Sequence, residues 1–294
     1  MIIGAALAVT VAAATLASGG GADDPPRPAP AVSAPAAAGR FDSARAWAEL
    51  GRQVALGPRP AGSRRLRRLA VRLRRELPGG RFEPVPGHPR LRNVVGRLPG
   101  TGPAIVVAAH YDTKRLPGFV GANDGAAGAA AVVELARALG ESKRPAGARE
   151  LRFVLFDGEE ATDDRRPFTE TGLRGSTAYA RRHAREIGSL ILLDFIAAKD
   201  LSIRREGSSD RALWRRLREA ARVVGAGAAF PGGSGSVITD DHSPFIARGV
   251  TAINLIQWPY ACWHRPCDDL DAVSERSLDL SGESVLQLVR TLGG

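Results

Sequence analysis

The sequence predicts an α/β fold of three layers, a mostly parallel central sheet with helices on both faces. Near-continuous apolar runs recur along the chain, and stretches of helical periodicity separate them. No internal repeat and no second linker interrupts the chain after Phe41. Apolar runs without alternation are what a sheet covered on both faces requires. Their interleaving with helices is the pattern of parallel layered folds.

The apolar stretch at residues 1–20, "MIIGAALAVTVAAATLASGG", has the length of a signal peptide and closes in small residues around Ala17 and Ser18. Left uncleaved, it is just long enough to act as an N-terminal anchor. Export is expected, to the medium, the periplasm or the cell envelope, with a membrane partner only through that anchor. Residues 21–40 are rich in Pro and Ala without periodicity and read as a disordered linker. Residues 41–294 are expected to form one domain.

Lys and Arg number 41 against 31 Asp and Glu, a net charge of +10. Much of the excess lies in "RRLRRLAVRLRRELPGGR", Arg64 to Arg81, where Leu66, Leu69, Ala70, Leu73 and Leu77 recur at helical spacing. This reads as a helix with a solvated basic face. No nucleic-acid motif accompanies it, so nucleic acid is not an expected partner.

The strands follow in order as "NVVGRL", "AIVVAAHYD", "LRFVLFDGEE", "LILLDFI" and "AINLIQ". Between them "GAAGAAAVVELARALG", "LRGSTAYARRHARE" and "RALWRRLREAARVVG" read as helices. In such folds ligands bind beyond the carboxyl ends of the strands. The residues there are His110 and Asp112, then Asp157, Glu159 and Glu160, then Asp194, joined by Asp124 in "GANDG", by Asp240, Asp241 and His242, and by His264. Nearly all are carboxylates or imidazoles, the ligands of a zinc site that keeps a position open for chemistry. A bound dication would make these acids tolerable beside a buried strand. Asp124 has a second reading as the N-cap of the helix it precedes. Glu159 and Glu160 point apart in extended chain, which suits one to a metal and the other to proton transfer. Cys262 and Cys267 suggest a local disulfide in an exported chain. A thiolate metal ligand is the alternative.

The order "AHYDTK", "GANDGAAG", "LFDGEEA", "LLDFI", "DDHSPF" with "RGV", and "WH" followed by "DD" resembles the zinc peptidase family M28 superfamily, and within it the glutaminyl-peptide cyclotransferase branch. The likeness runs from Asn93 to about Leu292. It implies that Asp124, Glu160 and His264 hold a catalytic zinc and that Glu159 is the general acid and base. In a cyclase Asp194 and Asp240 serve catalysis and one zinc is expected per chain. In an aminopeptidase, the alternative, His110 and Asp194 add a second zinc with Asp124 bridging. Asp240, Lys114 and Trp263 favour the cyclase, and Trp263 could wall a pocket for an N-terminal glutamine. Two departures stand out: Arg165 lies near the place of an expected tryptophan, and the loop "LIQWPYACWH" is about one residue short, leaving Tyr260 or Trp258 as aromatic walls. Cys262 and Cys267 are not part of the cyclase pattern. The implied substrates are N-termini of peptides or proteins, and a monomer is expected.

Overall fold

The computed structural model describes residues 39–294. The expected leader and all but the last two residues of the expected linker lie outside the described residues. Those two belong to the fold: Arg40 Nε donates to Glu283 Oε1 at 3.0 Å, and the carbonyl of Gly39 accepts from Arg290.

Six strands form one sheet: β1 (Arg81–Val85), β2 (His88–Leu98), β3 (Thr101–His110), β4 (Arg149–Phe156), β5 (Ile187–Leu193) and β6 (Thr251–Leu255). Their order across the sheet is β1-β2-β4-β3-β5-β6. The pairings β4–β3, β3–β5 and β5–β6 are parallel, whereas β1–β2 and β2–β4 are antiparallel. The mostly parallel expectation therefore holds for the half of the sheet that carries the acids. The antiparallel edge begins with β1, whose "RFEPV" contains a proline and alternates in burial, so it lacks the apolar run by which the others were found.

The helices are α1 (Ser43–Val54), α2 (Arg64–Glu76), α3 (Gly128–Glu141), the single turn α4 (Phe168–Thr171), α5 (Arg174–His183), α6 (Arg211–Val223), the single turn α7 (Ser243–Ile246) and α8 (Glu275–Thr291). Side chains of a strand alternate between the two faces of its sheet, and the core divides accordingly. Ile105, Val107, Ala109, Phe153, Leu155, Ile191 and Leu193 pack with α1, α2, α3, α6 and α8. Val106, Ala108, Val154, Phe156, Leu190 and Leu192 pack with Tyr179 and Ala180 of α5 and Phe245 of α7. Both faces are covered, which is why these strands are apolar throughout.

Helix starts follow local capping chemistry. The side chains of Asp42, Ser63, Asp210 and Ser274 accept from the backbone N–H three residues on, at 3.0, 3.1, 2.7 and 3.1 Å. On α2 the predicted stripe is as expected: Leu66, Leu69, Ala70 and Leu73 are buried, while Arg64, Arg65, Arg68 and Arg75 face solvent. No helix among the described residues is long and apolar enough to cross a membrane.

Candidate metal centre and its cavity

Because β3, β4 and β5 run parallel, their carboxyl ends meet on one edge. His110 closes β3, Asp157 follows β4 directly, and Asp194 follows β5 directly. Asp112 pins the turn after β4, its Oδ1 accepting from the backbone of Gly158 at 3.0 Å and of Glu159 at 3.1 Å. Asp157 Oδ2 accepts from the Arg92 backbone at 2.9 Å and from the Tyr111 hydroxyl at 3.1 Å, so Asp157 supports the turn from beneath.

Asp124 is not a helix cap. Its φ of −87° and ψ of 91° lie outside the helix, Gly125 follows at φ +94°, and α3 begins only at Gly128 with no side-chain cap. A Cβ on Gly125 would sit 2.6 Å from the Asp112 carbonyl oxygen and 3.1 Å from the His110 ring, so only glycine lets the chain bring Asp124 inward here. Asp268 fixes that approach, accepting from the backbone of Asn123 at 2.9 Å and Asp124 at 3.1 Å, and from the Tyr260 hydroxyl at 2.8 Å.

Two ligand sets result. In the first, His264 Nε2 lies 3.3 Å from Glu160 Oε2 and 3.6 Å from Asp124 Oδ2. In the second, His110 Nε2 lies 3.2 Å from Asp124 Oδ1 and 3.5 Å from Asp194 Oδ1. In each set one donor atom per residue lies within 4.8 Å of the others, and Asp124 belongs to both. Asp124 Oδ2 and Glu160 Oε1 are buried without a hydrogen-bond partner among the described residues. Unpartnered buried carboxylate oxygens and an imidazole within one ion's reach fit a divalent cation.

The electrostatics point the same way. Burial, with Asp124 beside it, pushes the Glu160 carboxyl up to about 7, and burial pushes Asp194 to about 8 with Asp240 adding to it. Glu159 is raised well above the carboxylate range by burial, with Glu160, Asp240 and Asp241 adding and His110 opposing. Burial lowers His110, but the carboxylates of Asp112, Asp124 and Asp194 outweigh it and hold the imidazole well above its ordinary value. A dication between these groups would favour the ionised acids and the neutral imidazoles.

Above the centre opens a cavity of about 520 Å³, with Asp124, Glu159, Glu160, Asp194, Asp240 and His264 in its floor. Its apolar wall includes Trp258 and Trp263, set edge to face at 5.0 Å, and Trp263 stacks on His264 at 4.4 Å. Phe168, Phe195, Val237, Ile238 and Ile256 also belong to it. Phe195 and His264 hold φ of +45° and +52°, a costly region for bulky residues, and both face this cavity.

The structure corrects two expectations, one for Tyr260 and one for Asp241 with His242. Tyr260 does not line the cavity: it is buried, and its phenol turns to Asp268. Asp241 and His242 are buried outside the lining, and His242 Nε2 pairs with Glu206 Oε2 at 3.1 Å. Arg165 points to solvent and pairs with Asp163, whereas Phe168, three residues on, supplies an aromatic wall. Cys262 and Cys267 are joined to each other on either side of His264, the expected disulfide rather than the alternative thiolate ligand. Sequence reasoning passed over Phe168, Phe195, Ile238 and Asp268. Of these, Phe195 stood in "LLDFI" and Asp268 was the first residue of the "DD" pair after "WH".

Fold and site together define an α/β protein with a buried carboxylate and imidazole centre fit for a divalent metal. The chain belongs to peptidase family M28, whose family model matches residues 93–289. It is 29% identical over 230 residues to the glutaminyl-peptide cyclotransferase of Drosophila melanogaster, a match covering 67% of this chain and 63% of that protein. The chain thus spans slightly less than two thirds of that relative's length. Among solved structures, an Acidobacteriales bacterium glutaminyl cyclase aligns with a TM-score of 0.76 at 28% identity, covering 91% of this chain and 99% of that one. A Porphyromonas gingivalis glutaminyl cyclase aligns with a TM-score of 0.76 at 26% identity, over 86% and 99%.

Proposed function

We propose that the chain is a zinc-dependent glutaminyl-peptide cyclotransferase, converting N-terminal glutamine of peptides to pyroglutamate with release of ammonia. The supporting observation is a cavity lined together by Trp258 and Trp263, by Glu159, Asp194 and Asp240, and by the Asp124, Glu160 and His264 set. An aromatic slot of this kind suits the short, uncharged glutamine side chain. The relatives named above share that activity in their names.

A zinc ion held by Asp124, Glu160 and His264 would supply a Lewis acid for the γ-carboxamide of the substrate. The chain's own groups do the rest. The α-nitrogen attacks the γ-carboxamide carbon, the bond from that carbon to the amide nitrogen breaks, and ammonia leaves. Glu159, whose carboxyl burial raises well above the ordinary carboxylate range, takes the proton from the α-amine and returns it to the departing nitrogen. Asp194 and Asp240 hold the reacting groups in line, and the apolar wall limits water, so that ring closure competes with hydrolysis.

The second reading is an M28 zinc aminopeptidase, favoured by the His110, Asp124 and Asp194 set, which would take a second zinc. There Glu159 would deprotonate the attacking water. Gln-initiated and Leu-initiated dipeptides given to one zinc-loaded preparation separate the two: ammonia without peptide cleavage supports the cyclase, and free leucine overturns it. Metal counting adds to this, with one zinc per chain expected for the cyclase and two for the aminopeptidase. We further infer that residues 41–294 are one catalytic domain and that the protein is exported by its apolar N-terminus.

A further inference from the structure

Beside the centre, on the loop between β5 and α6, lies a carboxylate that neither the proposed reaction nor any metal set employs. Glu206 is 2% exposed. Its Oε1 accepts from the backbone of Ser208 at 2.8 Å and of Ile238 at 3.0 Å. Its Oε2 accepts from the backbone of Ser209 at 2.8 Å, from the Ser209 hydroxyl at 2.9 Å and from His242 Nε2 at 3.1 Å. The Ser208 hydroxyl reaches both oxygens. A buried carboxylate so fully satisfied is a rigid anchor.

Two arms lead from it to the cavity. Along the first, Ile238 lines the apolar wall, and its backbone is held directly by Glu206. Along the second, the Ser209 hydroxyl accepts from the Asn254 backbone at 2.9 Å, and the Asn254 amide donates to Asp240 Oδ2 at 2.6 Å. Asp240 lines the floor. We propose that Glu206 is a positioning residue that sets both the Ile238 wall and the Asp240 carboxylate for the reaction at the centre. Burial alone would raise its carboxyl, but His242 and the N–H groups of Ser208 and Ile238 outweigh burial and hold it down at about 2, so it stays an acceptor throughout the working range.

The inference rests on the proposed cyclase reading for its substrate, and its test separates the two. Ser209→Ala cuts only the Asp240 arm and is expected to lower kcat about tenfold for a Gln-initiated dipeptide, with KM little changed. Glu206→Gln keeps one acceptor oxygen and loses the other, so both arms slacken, and KM is expected to rise about tenfold beside a similar fall in kcat. Zinc content and melting temperature are measured alongside. A residue that only held the fold would lower the folded fraction, seen as lost zinc and early melting, and leave KM of the remaining enzyme unchanged. Wild-type kcat and KM in both variants, or loss of folding in both, overturns the inference. If the wild type releases no ammonia but cleaves a Leu-initiated dipeptide, the cyclase reading falls, and the same kcat against KM comparison is read with that substrate.

Discussion

Glu159 and Glu160 adjoin in sequence but take different places at the centre. Glu160 meets His264 at 3.3 Å, while Glu159 stands in the same cavity outside both ligand sets. Glu159→Gln is expected to abolish turnover and keep its zinc, measured by elemental analysis; loss of metal would make it a ligand instead. Asp157 offers a pH test away from the metal. Burial first, then Asp112, raise its carboxyl to about 7, against the pull of the Arg92 backbone, Tyr111 and Arg174. An unfolded aspartate titrates near 3.9, so the folded state binds the extra proton between these values. The contribution is present in full below about pH 4 and is lost as pH rises through 7, by on the order of 4 kcal/mol at most. Thermal melts should show the wild type losing more stability from pH 5 to pH 8 than Asp157→Asn, and parallel profiles would contradict the assignment.

At the scale of elements, α2 separates packing from charge. Leu73 is fully buried against the sheet, so Leu73→Ala is expected to cost about 2–5 kcal/mol in denaturant unfolding. Arg68 is solvated with no ion pair among the described residues, and Arg68→Ala should stay within about 0.5 kcal/mol. A larger cost at Arg68 would mean that the basic face packs against something. The loop from Trp258 to Asp268 is a second such element, with Trp263 and His264 inside the span closed by the Cys262–Cys267 bond and Asp268 directly after it. The double change Cys262→Ser with Cys267→Ser is expected to weaken zinc binding about tenfold in chelator competition, by loosening the ligand's support. Unchanged affinity would show that packing of the tryptophans is sufficient.

For the whole molecule, a zinc held by Asp124, Glu160 and His264 would tie three chain segments together. Removing it with a chelator should lower the melting temperature, and returning zinc should restore it. A ligand at a thousand times its Kd stabilises the folded state by about 4 kcal/mol. An apo protein that melts as the loaded one does would place the zinc elsewhere.

How much of this was legible beforehand depends on whether a residue's signal is local. Strands covered on both faces must be apolar throughout, so β3 to β6 and the later half of β2 could be read from the sequence, and the acids after β4 and β5 stood out because charge beside buried strands needs a cause. The edge strand β1 and helix α8 were not singled out: β1 lacks a continuous apolar run, and α8 mixes serines and acids among its leucines and valines. Tyr260 and Phe168 differ for another reason. An aromatic in a loop can face the cavity or the core, and only the position of Asp268 turned Tyr260 inward, as only the path of the 158–172 segment brought Phe168 to the wall. His242 likewise looked like a ligand beside Asp240 until Glu206, 36 residues away, claimed it. The sequence by itself determined the layered α/β fold and the residue types at the strand ends, because burial and periodicity act along the chain. Tertiary structure alone decided which of those side chains face the centre, because that choice is made by partners distant in sequence.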